Sequence, residues 1–418
     1  MSTAWEALKT ARAPSEPKQR RISIWVWVAL GFVLISGARV LTGANELNSS
    51  GTLREAIVAG VPIALAGLAG LWSERAGVVN IGLEGMMIMG TLGAGYFGYW
   101  YGPWAGVLGG IAFGVLGGAL HAVTTVIFNV DHIVSGVAIN IIAAGGAAFL
   151  SRSWFPGLPG GGQSQSPSLD APGDITLVAV STAARSIEDR HWFVVSDLAS
   201  LVGALTKQLS LLTIFALLLF VATWWLLWRT PFGLRLRSCG ESPSAAETLG
   251  VNVYRYKFIA VLVSGGLAGL SGAFIALVLS GQYLDGQTGG RGFIGLAAMI
   301  FGNWLPGGLL LGAGLFGYTD ALQLRAGGGA VHALLIIIAV VLIGLGSRQL
   351  RSSSGRAGVI SITMGALFAL WFFTTDEVPS DFTAMTPYIA TLLVLALASQ
   401  RLRMPAADGL RYTRGRAG

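Results

Sequence analysis

One cysteine, Cys239, stands in 418 residues, and lysine occurs only at Lys9, Lys18, Lys207 and Lys257. The lone thiol excludes an internal disulfide and any cluster built on several thiolates. None of the lysines follows a glycine, so the chain has no Gly-x-x-x-x-Gly-Lys-Ser/Thr loop in which to cradle the phosphates of ATP. The histidines, His121, His132, His191 and His332, have no spacing that would serve a metal, and each is expected to be hydrogen-bonded or solvated. Charge is scarce as well: Asp, Glu, Lys and Arg make up 11% of the residues, where a soluble domain carries about a quarter. Water is thereby excluded as the main solvent of this chain.

Apolar residues take the place of the missing charge. They make up 53% of the chain, beside 60 glycines, and fall into runs close to the roughly 20 residues that cross the core of a bilayer. Crossings are expected near 22–40, 53–72, 81–101, 104–128, 132–150, 207–228 and 257–280, then near 329–346, 357–375 and 384–400. Between 292 and 322 two short apolar pieces break at Asn303-Trp304-Leu305-Pro306-Gly307-Gly308, too short for two comfortable crossings, and a re-entrant or broken hairpin is expected there. The fold class is all-α, a polytopic helical bundle of about ten crossings plus that hairpin. The first run follows basic residues as a secretory signal does, but no small-residue cleavage site follows cleanly, and it reads as a retained helix. Glycines spaced three or four apart, as in Gly106 to Gly118 and Gly265 to Gly272, let helices approach closely in lipid, where packing holds them together.

Basic residues sort the loops. Lys9, Arg12, Lys18, Arg20 and Arg21 precede the first crossing, and Arg229, Arg235, Arg237, Arg255 and Lys257 lie in the loop after the sixth. Arg348, Arg351 and Arg356 mark a short loop, and Arg401, Arg403, Arg411, Arg414 and Arg416 make the tail. All four segments fall on one side of the expected topology, the cytoplasmic side by the positive-inside rule, with both termini there. The net charge of +7 is thus a membrane signal and implies no nucleic acid. The chain divides into a cytoplasmic segment at 1–21, a membrane domain at 22–400 and a cytoplasmic tail at 401–418, with an external loop at 151–207 and an inner loop at 229–256. The external loop, rich in Gly, Pro and Ser at its start, reads either as a flexible connection or as a docking surface for an external partner; its Ile187–Phe193 stretch could lie along the membrane surface.

Within the inner loop, Ser242 is a good N-cap, Pro243 suits a first helical position and Gly250 suits the residue just past a helix end. A helix of about two turns is expected between them. By itself this is either an ordinary connection or a rigid piece that could fit a cleft on another protein. Elsewhere, Asn80 and Glu84 are four residues apart and so share a helix face, either lining a path or serving the N-terminal end of the third crossing. Ser135 and Asn140 on the fifth crossing either bridge helices or meet a solute. Gln282, Asp285, Gln287, Arg291, Phe293 and Asn303 form the densest polar and aromatic set, around the expected break, where amides and a carboxylate could meet a polar solute and an aromatic face could stack on it.

The inner loop resembles the coupling loop of bacterial ABC importer permeases, in which a Gly followed by an acidic residue and small Ala residues leads to a closing Gly. Gly240, Glu241, Ala245, Ala246 and Gly250 match that pattern, with Ser242 and Pro243 between them. The segment from Ser73 to Met87 and the one from Gly281 to Trp304 are similar to the branch that imports nucleosides and simple sugars, with branched-chain amino acid permeases in the same family. Across most of the chain the likeness is strongest to nucleoside permeases that work with a basic-membrane-protein type of lipoprotein. That resemblance implies a bacterial cytoplasmic (inner) membrane location, separate ATPase subunits carrying ATP and Mg, a second and homologous permease, and an external substrate-binding lipoprotein; this chain would hold no cofactor. The stretches at 160–205 and 347–377 depart from the family pattern. Since no crossing shows a central Asp, Glu or His, proton coupling is not expected, and a gradient-driven carrier or a membrane-embedded enzyme is the weaker reading.

Overall fold

The computed structural model describes residues 24–351, 355–383, 385 and 402–415. The 1–21 segment and the crossing expected at 384–400 lie outside the described residues. Helices follow the apolar runs closely: α1 (Ile24–Thr42), α2 (Ser50–Arg75), α3 (Leu83–Tyr101), α4 (Pro103–Ala122) and α5 (His132–Trp154) come first. Two short helices, α6 (Val178–Glu188) and α7 (Val195–Thr206), precede α8 (Leu211–Arg229). Then come α9 (Pro231–Glu241), α10 (Pro243–Thr248) and α11 (Val253–Phe274), followed by α12 (Arg291–Phe301), α13 (Pro306–Ala321), α14 (Gly327–Arg351), α15 (Gly355–Thr374) and the short α16 (Ser380–Thr383). Among the described residues, seven helices are long and apolar enough to cross a membrane by length and composition.

Local chemistry sets the helix starts. Ser49 Oγ accepts from the amide of Thr52 at the head of α2, Asp131 from Ile133 and Val134 at α5, Ser210 from Leu212 at α8, and Asn252 from Arg255 at α11. Each satisfies a backbone donor that the first helical turn leaves free. Gly102, at φ +88°, makes the tight turn that lets Pro103 open α4 directly after α3.

Helices α2 and α11 form the buried centre, with α3 and α4 packed around them. The α4–α11 contact is made by glycines: a Cβ on Gly269 would lie 2.2 Å from the Gly110 carbonyl oxygen, and one on Gly114 would lie 2.3 Å from that of Gly265. Only Gly permits backbones at that distance, as the spacing of small residues implied. Among the described residues the only sheet is the two-residue pairing of Asp174–Ile175 with Leu209–Ser210.

Three expectations are sharpened or corrected by the structure. The 292–322 region is the expected broken hairpin, with two unequal arms. Gly60 of α2 lies against Ala313 of α13, Gly67 against Leu309 and Gly317 against Ala56, so α13 runs along α2 from Ala56 to Gly67. Helix α12 meets α2 only from Ile63 onward, where Gly295 packs, to Glu74, which accepts a hydrogen bond from Trp304 Nε1 at 2.6 Å. It is a half-helix, entered through the irregular segment 281–290, so residues 281–301 make one broken crossing. Second, the 151–207 segment is an ordered unit: α6 and α7 pack on each other and on α2, Glu188 Oε1 accepts from the Ser50 amide at 2.8 Å, and Asp197 pairs with Arg39 at 2.8 Å in a buried ion pair. Third, the bundle does hold an acid away from its ends, Glu84, described below.

Candidate coupling face and solute path

At the end of the bundle opposite α6 and α7, α9 and α10 form a compact outer layer. Thr230 Oγ1 accepts from the Gly233 amide and Pro231 opens α9, which folds back so that Arg237 Nε donates to the Leu227 carbonyl at 2.9 Å. Gly240 ends α9 against α2: a Cβ there would lie 2.4 Å from the Arg75 carbonyl oxygen. Glu241 is exposed, 4.0 Å from Arg75. The short helix is present as α10, with Pro243 at its start and Gly250 at φ +82° just past its end, where the Val251 amide closes on the Ala246 carbonyl at 3.0 Å. Ser242 occupies the N-cap position, but its side chain makes no capping bond; its carbonyl accepts from Ala246 instead. Ala245 faces solvent while Ala246 is buried with Cys239, Val253 and Tyr412. Burial pushes the Cys239 thiol up to about 11, so it stays protonated and inert.

Sequence reasoning missed what lies beneath this layer. Residues 402–415, taken as a tail whose arginines only mark topology, thread between α9–α10 and the bundle. The Ala407 amide donates to the Gly240 carbonyl at 2.8 Å, and Tyr412 and Arg414 both donate to the Glu247 carboxylate, at 2.6 and 3.1 Å. Asp408 is buried with neither carboxylate oxygen hydrogen-bonded. Burial raises it to about 7, against the opposing influence of the Glu74 carboxyl and of the charges of Lys257 and Arg75 nearby.

The polar residues singled out inside the bundle separate into two groups. Asn80, Glu84, Ser135, Asn140 and Asn303 hold the chain to itself. Asn80 and Glu84 do not share a helix face, because α3 begins only at Leu83 and residues 76–82 are irregular. Asn80 Nδ2 donates to Ser264 Oγ at 2.9 Å, deep against α11. Glu84 accepts from the amides of Gly290 and Gly292 at 2.9 and 2.7 Å, capping α12 rather than its own helix. Asn140 bridges α5 to the turn before α3, accepting from Gly85 at 2.8 Å and donating to Ile81 at 3.1 Å. Ser135 bonds His121 Nδ1 at 2.9 Å; the other ring nitrogen faces the Val79 carbonyl at 3.0 Å and so carries the proton. Asn303, at φ +56°, sits at the far end of α12 and accepts from the Arg403 amide at 2.7 Å, remote from the rest of its expected set.

Gln282, Asp285, Gln287, Arg291 and Phe293 lie on the irregular half of the broken crossing and the first turn of α12, and of these Gln287 and Arg291 meet, Arg291 Nη1 donating to the Gln287 carbonyl at 3.3 Å. Gln287 accepts from Ser280 Oγ at 2.9 Å, Arg291 pairs with Asp320 of α13 at 3.6 Å, and Phe293 is 46% exposed. Gln287 Nε2 and Arg291 Nε are shielded donors with no hydrogen-bond partner among the described residues. Asp320 was overlooked in the sequence although it is a lone acid in an apolar run, a signal in its own right. The segment after α5 closes over this region: the Ser166 amide donates to the Tyr283 carbonyl at 3.0 Å and the Asp285 amide to the Ser164 carbonyl at 2.8 Å.

Comparison with known proteins covers most of the chain. Residues 52–346 match the family described as branched-chain amino acid transport system / permease component. The chain is 32% identical over 370 residues to the nucleoside ABC transporter permease protein NupC of Lactococcus lactis subsp. cremoris, spanning 86% of this chain and 96% of that protein. It is 31% identical over 367 residues to the guanosine ABC transporter permease protein NupQ of Bacillus subtilis, 86% of this chain and 95% of that one. The putative glucose ABC transporter permease protein TsgC13 of Haloferax volcanii is 31% identical over 376 residues, 88% of this chain and 98% of its own length. No solved structure matches.

Proposed function

Since this chain belongs to the family of branched-chain amino acid transport system permease components, we propose that it forms half of the pathway of an ATP-driven nucleoside importer. The similarity to NupC and NupQ over nearly the full length of each carries the substrate class. ATP and Mg belong to partner ATPase subunits, which seat on α9 and α10. A second, homologous permease completes the path, and an external binding lipoprotein delivers solute at the opposite end. There a polar cleft of about 260 Å³, lined by Arg54, Arg185, Glu188, Asp189 and Lys207 among others, supports docking. The basic loops support placing the α9–α10 face, and both termini, on the cytoplasmic side of the inner membrane.

The unpartnered donors at Gln287 and Arg291 suit a solute that carries hydroxyls, and the exposed Phe293 ring in the same first turn of α12 offers a flat face for a base. Closure of the ATPases would shift α9 and α10 and switch access from one end to the other. A simple-sugar importer is the second reading, favoured by the similarity to TsgC13. The deciding experiment reconstitutes the complex with its ATPase and binding lipoprotein and follows labelled guanosine. ATP-dependent uptake competed by other nucleosides is expected. Competition by glucose alone would move the assignment to the second reading, and uptake without ATP would overturn both.

A further inference from the structure

The contacts of residues 402–415 reach several different elements of the bundle. Arg403 is tied to Asn303, in the turn between α12 and α13. Ala406 and Ala407 are tied to Glu241 and Gly240 at the end of α9, at 3.3 and 2.8 Å. Gly409 lies against Val79, and Arg411 faces Asp131, the cap of α5, at 3.9 Å. The Tyr412 ring packs on Tyr254 of α11 with centroids 5.3 Å apart, while its hydroxyl and Arg414 occupy the carboxylate of Glu247 in α10. The segment is also wedged. A Cβ on Gly77 would lie 3.1 Å from both the Ala407 carbonyl oxygen and Gly240 Cα, and 3.3 Å from Lys257 Nζ. Ala407, Asp408 and Tyr412 are buried.

We propose that residues 402–415 are an autoinhibitory strap, which in its docked position fixes α9 and α10 to the ends of α2, α5 and α12 and slows transport until it is displaced. The inference rests on the reading of α9 and α10 as the face that ATPase motion acts on. A displacement of that face relative to α2 shears the Ala407–Gly240 bond and the Tyr412–Glu247 bond together. Contacts that hold in one state and break in the other stabilise the first, and so slow the exchange between them. The strap also satisfies Glu247 and contacts Glu241, the two acids α9 and α10 offer, so a docked strap leaves this surface less able to engage a partner's cations.

The test uses the whole complex in vesicles with guanosine as solute. A chain ending at residue 401 and the point variants Tyr412→Ala and Ala407→Pro are each compared with the parent for ATP hydrolysis and uptake. Tyr412→Ala keeps the chain length while removing the ring contact and one bond to Glu247; Ala407→Pro removes the amide that reaches Gly240. Loss of the strap is expected to raise both rates at least threefold, with smaller rises for the point variants. Rates equal to or below the parent in Tyr412→Ala, with the complex intact by size exclusion, overturn the strap whether or not the shortened chain assembles. A parent that moves no guanosine with ATP overturns the functional reading instead, which separates the two failures.

Discussion

Replacing Glu84 with Gln removes one charge and turns an NH2 group toward a backbone amide that now meets a carboxylate oxygen. The parent carboxylate makes two charge-assisted bonds, at 2.9 Å to Gly290 and 2.7 Å to Gly292, and is buried. Hydrogen bonds to charged groups contribute about 1.5–3 kcal/mol each, and an anion at a helix N-terminus adds about 0.3–2 kcal/mol. Losing one bond and the charge therefore costs about 2–5 kcal/mol. Water cannot readily replace the lost acceptor, because a Cβ on Gly292 would already lie 2.8 Å from Glu84 Cα. The measurement is unfolding of the purified protein in detergent by heat and by SDS titration, alongside guanosine uptake. A lowered unfolding free energy with uptake falling in parallel is expected. Stability within about 0.5 kcal/mol of the parent, the range of an ordinary surface change, would refute the capping role, and a raised KM alone would make Glu84 a solute contact.

Gly269→Ala should be severe: the added Cβ has backbone atoms of Gly110 and Gly114 within 3.0 Å and nothing flexible to displace. A marked fall in melting temperature, or loss of monodisperse protein on size exclusion, checks it. Ala245→Trp adds bulk on the exposed side of α10; ATP hydrolysis should persist while uptake falls at least tenfold with folding unchanged, and normal uptake would remove α10 from the coupling face. Asp408, raised to about 7 when docked against an ordinary value of 3.8, makes the docked segment the better proton binder. Docking should therefore be tightest at acid pH, weaken as pH rises and lose this contribution through pH 7. Trypsin cleavage after Arg411, normalised to a free peptide, should increase from pH 5.5 to 8, and Asp408→Asn should flatten the profile.

The crossings were legible because lipid demands long apolar runs and breaks them at caps and glycines; α10 was legible because Pro243 and Gly250 mark its ends locally. What escaped depends on partners far away in the chain. Glu84 sits four residues from Asn80, and that spacing pointed to a shared helix face, yet its partners are Gly290 and Gly292. The arginines near the C-terminus satisfied the positive-inside rule, which asks nothing further of them, so the docking of Tyr412 and Arg414 on Glu247 left no trace in composition. The external helices were hidden for a different reason. Helix α6 is amphipathic and short, and its apolar positions are too few to stand out in a hydropathy reading of a membrane protein. In the solute set, proximity around 282–293 was visible because the residues are neighbours in sequence, whereas Asn303 was grouped with them by the same logic and lies at the other end of α12.

The glycine contact between α4 and α11 has a mechanical consequence. Helix α11 begins at Val253, just past α10, and its π-turn ends at Leu279, next to the segment that carries Gln282 and Gln287. Along much of that length it rests on α4 backbone to backbone, with Gly110, Gly114 and Gly118 facing Gly265 and Gly269. Side chains are what usually soften a helix contact, since rotamers can yield before the axes do. Here few rotamers stand between the axes, so the pair behaves as a stiff lever with one arm at α10 and the other at residues 281–290, and a push at the first is felt at the second with little slack.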